Sequence, residues 1–293
     1  MIETFRFTLK TQSTMNWPTQ AGSMLRGAFG HTLKRLSCMT KQPVCKNCPL
    51  VNTCPYTAIF ETQARTNQTN RPSPYIIQPL PSATRAATHQ FDLTLIGKDT
   101  LNQLPLIFYA WENALAGGLT KHAIPAKLHQ VTHQNTCLVD NGVPLTLAFE
   151  PTPLPQANPQ NQTLNITIKT PMRLEQRNQL IGQAEFSLNG LFTHIIRRNK
   201  FMFQHHLPET SFNFAINLAN LSDAKPHQQT LTWQDWQRYS NRQQQAMTLG
   251  GLVGQIQLKP HTLTPQQYQQ LQIVQRINIG KHTVFGMGAI ELQ

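Results

Sequence analysis

The chain has 293 residues, with 25 Lys and Arg against 13 Asp and Glu, a formal net charge of +12. Only 13% of residues are charged, against about 25% in ordinary proteins. The basicity therefore comes from scarce acids, and a chain this basic meets an anion, most commonly nucleic acid. With 39% hydrophobic residues, no apolar run near the ~20 residues of a membrane span and no charged-then-apolar leader in MIETFRFTLKTQ, the expectation is a folded cytoplasmic protein of two domains, with no membrane partner.

Residues 2–10 alternate apolar and polar side chains, which predicts a first strand. Residues 21–36 follow as a helix: with Leu25 at 0°, Ala28, Phe29, Leu33 and Leu36 fall within about 80° of it, while Gly27, His31 and Lys34 fall opposite. Four of the five cysteines come next, Cys38, Cys45, Cys48 and Cys54, spaced C-x6-C-x2-C-x5-C. Pro43, Asn47, Pro49, Asn52 and Pro55 make this stretch, 38–56, a turn-rich knuckle. A reducing compartment argues against disulfides. Four thiolates suit one structural metal, zinc by preference or an iron–sulfur cluster. Cys137 stands apart as a small apolar residue. Strands are expected at 75–80 and 91–96, a helix at 101–116, and strands at 127–131, 137–139 and 145–149.

The Pro/Gln/Asn-rich stretch 151–162 reads as a linker or a long hairpin loop. The pattern then restarts: a strand at 164–168, a helix at 187–206, two strands including 252–258, a helix at 264–277 capped by Thr264 with Pro265 at its first turn, and a last strand at 284–292. The order β-α-β-β-α-β is that of a ferredoxin-like motif. The expected fold class is α+β, two such modules in tandem at 1–155 and 163–293, with the Cys knuckle inserted after the first helix.

Several segments carry chemistry. His31, with Lys34 and Arg35, lies on the polar side of the first helix, where a His could move a proton and cations could offset charge on a phosphate. Gly27 and Gly30 thin that helix, so that RNA could approach it closely. His194, Arg198 and His205 fall within about 40° of one another on the later helix, flanked by Arg197 and Lys200. They read as an RNA-facing stripe or as a solvated face. Arg238 and Arg242 flank Tyr239, which suits phosphate pairing with base stacking. Lys281 and His282 ride on the glycine-rich stretch 280–288, where backbone N–H groups can reach a phosphate. Together with Arg26 these form dispersed basic clusters. No H-E-x-x-H, G-x-S-x-G or phosphate-loop motif is present.

Taken in order, Leu25-Arg26-Gly27-Ala28-Phe29-Gly30, the knuckle with Cys48-Pro49-Leu50 and Cys54-Pro55-Tyr56, Thr170-Pro171-Met172-Arg173-Leu174, Arg238-Tyr239-Ser240-Asn241-Arg242-Gln243 and the closing glycine-rich loop resemble the CRISPR precursor-crRNA-processing endoribonucleases of the RAMP superfamily, the Cas-six type with a Cys-rich insertion. The resemblance runs from about residue 24 to the end. It implies two RAMP/RRM-like modules, repeat RNA or crRNA as partner beside other CRISPR effector or adaptation proteins, and cleavage that needs no cofactor: the 2′-OH attacks its own phosphate, leaving 2′,3′-cyclic phosphate and 5′-OH ends. It carries the general base onto His31, with His205 and Tyr239 in reserve, and the family's glycine-rich loop onto Gly280, Gly286 and Gly288 as an RNA-backbone or folding element; Arg173 is a further candidate RNA contact. The alternatives are a non-catalytic RAMP subunit that only binds crRNA and a metal-knuckle DNA-binding or regulatory protein.

Overall fold

A computed structural model describes residues 1–17, 21–65, 71–83, 85–119, 124–240 and 245–293. The chain divides into two compact units, 1–152 with 205–207, and 153–204 with 208–293. Both are mixed α+β with antiparallel sheets. Among the described residues no helix is long and apolar enough to cross a membrane.

The first unit begins with β1 (Ile2–Met15), longer than its alternation predicts, then α1 (Ala21–Ser37) and the short α2 (Pro55–Ile59) after the knuckle. β2 (Tyr75–Pro79), β3 (Ala86–Ile96), α3 (Lys98–Leu101), α4 (Leu104–Ala116), β4 (Ala126–His133), β5 (Thr136–Asp140) and β6 (Val143–Pro144) complete it. The sheet runs β2-β3-β1-β4-β5-β6. One side of β1 buries Phe5, Phe7 and Leu9, as the alternation requires, Ile2 is buried on the other side, and α1 lays Leu25, Phe29 and Leu33 against the core. Trp111 of α4 joins them: its ring stacks on Phe29 at 5.0 Å and meets Phe91 at 4.5 Å. Burying each such side chain contributes about 1.5–3 kcal/mol.

Two expectations fail here for backbone reasons. The helix expected over 101–116 is interrupted after Leu101 and restarts at Leu104, because Pro105 cannot donate an N–H and belongs in a first helical turn. The strand expected at 145–149 is absent. Val143–Pro144 pairs with β5 and Leu145 N–H still reaches the Leu138 carbonyl at 2.9 Å, but Pro144 has no N–H to give the ladder and no strand continues beyond it.

The second unit holds β7 (Leu164–Met172), a small hairpin of β8 (Glu175–Gln176) and β9 (Gln179–Leu180), α5 (Leu188–His206), β10 (Gln228–Ser240), β11 (Gln245–Leu258), α6 (Pro265–Ile277) and β12 (Ile290–Leu292). Its main sheet runs β10-β11-β7-β12. Leu188, Leu191, Phe192, Ile195, Met202 and Phe203 of α5 are buried, the face their spacing predicts. Thr264 closes a capping box with Gln267 at the start of α6. The 151–162 stretch forms no hairpin: it is irregular, and buried Gln160 ties it down by donating to the carbonyl of Lys259 at 3.0 Å. The final strand is shorter than expected. Residues Thr283–Phe285 form a 3-10 turn, and Gly286 and Gly288 take φ of +95° and +69°, values no strand tolerates.

Candidate nucleic-acid interface

On α1, His31 and Arg35 are exposed, one turn apart. Lys34, between them in sequence, is half-buried, its Nζ 5.8 Å from the centre of the Tyr56 ring. Arg26 is not presented to solvent as the basic cluster implied. Its guanidinium lies over the Phe60 ring at 4.3 Å, and its Nε is buried without a partner. The Gly27–Gly30 pair also divides. A Cβ on Gly30 would stand 2.2 Å from Cζ of Phe60, so this glycine admits the ring that follows the knuckle, not RNA.

The four clustered cysteines stand at hinges of the knuckle. Cys38 follows α1 and donates its N–H to Lys34 at 2.8 Å, Cys45 and Cys48 bound a 3-10 turn, and Cys54 precedes α2. All four line one cavity of about 100 Å³ beside Tyr56 and Leu50. They do not close on a common point: Cys48 Sγ lies 3.2 Å from the Thr40 hydroxyl, and among the described residues no three His, Cys, Asp or Glu side chains are grouped to hold a metal ion. Burial pushes the Cys45 thiol up. Cys137 lies on β5, its thiol directed at the Val139 carbonyl at 3.3 Å.

At the end of α5, His205 and His206 cluster with the first unit. The His206 ring bonds the Pro72 carbonyl at 2.8 Å. Arg71 donates to the His205 carbonyl at 3.4 Å. Burial, with the Arg71 charge behind it, lowers the His205 pKa below its ordinary value and so disfavours the imidazolium.

The stripe proposed for α5 does not form a single solvent face. Arg197 and Lys200 are exposed and His194 is half-buried, its pKa lowered by burial and then by Arg197. Arg198 turns inward, donating from one guanidinium nitrogen to the Ile277 carbonyl at 3.1 Å and to the Thr283 hydroxyl at 3.0 Å. Helical angle alone places residues around an axis but does not say which of them α6 and the following loop will cover.

The glycine-rich loop is stitched to the end of β7. Lys281 N–H donates to the Arg173 carbonyl at 2.9 Å, Gly288 N–H to the Pro171 carbonyl at 3.0 Å, and the Thr170 hydroxyl to the Gly286 carbonyl at 2.7 Å. A Cβ on Gly280, at φ +92°, would stand 2.5 Å from the Arg173 carbonyl oxygen. Arg173 donates to the Gly250 carbonyl at 3.1 Å. Exposed Lys281 pairs with the carboxylate of Glu175, holding that acid below its usual pKa. His282 takes a left-handed backbone and stacks on Phe285 at 5.5 Å. The side chains of Arg238 and Tyr239, and Arg242 entirely, lie outside the described residues.

Compared with known proteins, the C-terminal part of the chain, residues 166–290, matches the family model of the CRISPR-associated endoribonuclease Cas6. Residues 1–148 match a model described as an N-terminal domain. The C-terminal part of the chain is thus similar to a CRISPR-associated endoribonuclease domain. No curated relative matches by sequence. Among solved structures the chain is similar to a Cas6 (TTHB231) product complex, at 15% identity and a TM-score of 0.60 over 100% of both chains. It is also similar to Thermus thermophilus Cas6 (TTHB231), at 14% and 0.55 over 100% of this chain and 98% of that one. A partial Cas6-RT-Cas1–Cas2 complex matches at 13% and 0.57, covering 100% of this chain and 46% of that chain. At such identities the likeness is one of fold.

For cleavage of RNA without a metal the useful groups are an imidazole able to take a proton and cations able to meet a phosphate. The first unit offers both twice, as His31 with Arg35 and as His205 with Arg71. Sequence reading missed the second pairing, since Arg71 lies 134 residues away. It also missed Glu3, fully buried, which binds His133 at 2.8 Å and receives the Thr152 hydroxyl at 2.8 Å. The alternation puts Glu3 on the same face as Phe5, Phe7 and Leu9, but its partners His133 and Thr152 lie far along the chain and leave no local mark.

Proposed function

We propose that this chain cleaves repeat RNA by metal-independent transesterification, with His31 as general base. The reading treats the chain as two tandem ferredoxin-like modules, bounded near residue 152 and acting in the cytoplasm. His31 removes the proton of a 2′-OH, the 2′-oxygen bonds to the adjacent phosphorus, and the P–O5′ bond breaks. The departing 5′-oxygen takes a proton, leaving a 2′,3′-cyclic phosphate and a 5′-OH. Arg35 and Lys34 offset charge on the phosphate. The observation that carries this assignment is the exposure of His31 within one turn of Arg35. Arg197, Lys200, Lys281 and Arg173, with Arg238, Arg242 and Tyr239, hold RNA on the second module.

A second reading has its own support. Burial beside Arg71 lowers the His205 pKa, which favours the neutral ring that a general base needs. One experiment separates the two: cleavage of repeat RNA in EDTA, with a 2′-deoxy control at the cut site, for His31→Ala and His205→Ala. Removing a positioned base slows cleavage by about 10²–10⁴-fold, so His31→Ala should fall at least about a hundredfold with binding unchanged. Parental cleavage by His31→Ala with a loss in His205→Ala moves the role to His205. Binding without any cleavage by the parent chain makes it a crRNA-binding subunit.

The knuckle, in this reading, takes one structural metal, zinc or an iron–sulfur cluster. Its support is the cysteine spacing and the shared cavity. Elemental analysis and the absorbance spectrum of anaerobically purified protein should find stoichiometric Zn or Fe, and finding neither rejects it. Cys48→Ser should cost solubility before activity. The similarity to the Cas6-RT-Cas1–Cas2 complex supports adaptation proteins as further partners.

A further inference from the structure

We propose that Arg198 is a positioning residue for the glycine-rich loop: from α5 it grips both the end of α6 and the turn that follows, and so sets where Lys281 presents its charge. The inference rests on the reading that this loop meets RNA.

Arg198 has an unusual environment for a guanidinium. Among the described residues its solvent-sealed Nε has no hydrogen-bond partner and no carboxylate forms an ion pair with it. Burial lowers its pKa to about 10, which leaves it charged at neutral pH. A half-buried cation with a sealed Nε and no counter-ion is costly unless its other N–H groups are satisfied, so its two remaining contacts matter. One is the carbonyl of Ile277, the last residue of α6, where the negative end of the helix dipole favours a cation. The other is the Thr283 hydroxyl, buried at the start of the 3-10 turn inside the loop. The five residues between them include the left-handed Asn278, Gly280 and His282 and also Lys281. These connections close the two ends of a segment that is also tied from within, by Ile279 N–H to the Gly288 carbonyl at 2.9 Å and by the Asn278 side-chain amide to the Met287 carbonyl at 3.1 Å. With Ile277 and Thr283 fixed to one rigid group, the segment has few ways to run, and the bond from Lys281 N–H to Arg173 completes the clamp. Both bonds leave one terminal nitrogen of the guanidinium, whose two N–H groups are fixed in the plane of the group and so set the directions of both acceptors.

The test is a double-mutant cycle on repeat-RNA binding together with hydrogen exchange, using the full chain. Lys281→Ala should weaken binding. Arg198→Met, which keeps the apolar stem, should weaken it about tenfold or more. In the Arg198→Met background the further penalty of Lys281→Ala should shrink toward onefold, since the loop has already lost its placement. A role confined to global stability leaves that penalty unchanged. In the RNA-free protein, amides of Ile279, Lys281 and Gly288 should exchange about tenfold faster in Arg198→Met, with the α5 core still protected. If Arg198→Met does not fold, Thr283→Val removes the loop-side contact alone and should move the same amides in the same direction. Unchanged loop exchange in a folded variant overturns the proposal. Faster loop exchange with no effect of Lys281→Ala on parental binding upholds the positioning role while rejecting the loop as an RNA contact.

Discussion

Gly27 and Gly30 sit three residues apart on α1, and their surroundings are opposite. No neighbouring group lies within 4 Å of a Cβ built on Gly27, whereas one on Gly30 meets the Phe60 ring at 2.2 Å. Phe60 has little room to yield, because it stacks on Tyr56 at 5.4 Å and on Tyr75 at 6.1 Å with Arg26 above it. Gly27→Ala should therefore stabilise the protein by about 0.5–1 kcal/mol through helix propensity. Gly30→Ala should destabilise it by about 1–3 kcal/mol through overpacking. Thermal melts of the two variants, made side by side, check the contrast. Equal shifts would mean that Phe60 does not pack on α1. The spacing was visible in the sequence, but its purpose was not, since Phe60 reaches Gly30 across the whole knuckle.

At the scale of elements, α6 shows the opposite case. Its start was legible, because Thr264, Pro265 and Gln267 are local signals with a local physical cause. Gln267 N–H donates to the Thr264 hydroxyl at 3.3 Å, and the Gln267 side-chain oxygen accepts from Thr264 N–H at 2.9 Å. Thr264→Ala should cost about 1 kcal/mol, read as a lower denaturation midpoint with an unchanged slope. The end of α6 was not legible in the same way. It is closed by Arg198 from another helix, and a sequence offers no marker for a cap that arrives from 79 residues away. The glycine-rich loop likewise reads as a phosphate cradle in isolation, yet two of its glycines are required by backbone contact with Arg173 and Ile279.

For the whole molecule the governing quantity is the net charge of +12. Arg35, Arg197, Lys200 and Lys281 present cations to solvent on the two units. Each single-strand phosphate neutralised contributes about −0.7 to the slope of log K against log salt, so four or five contacts predict a slope near about −3. Titrating repeat-RNA affinity from low to moderate salt measures it. A flat dependence would show that these cations face something other than RNA.

The sequence by itself determined the elements that arise from periodicity and capping, the Cys spacing, the excess of positive charge and the ordered motifs that carry the family resemblance. Those are properties of neighbours along the chain, and short-range physics is enough to read them. Tertiary structure decided which polar residues point inward. Arg198 leaves the expected RNA stripe because α6 and the loop cover it, Arg26 is taken by Phe60, and Glu3 is sealed beside His133 and Thr152. Each outcome depends on a partner distant in sequence, and only packing brings the partner close enough to repay the loss of water around a buried polar group.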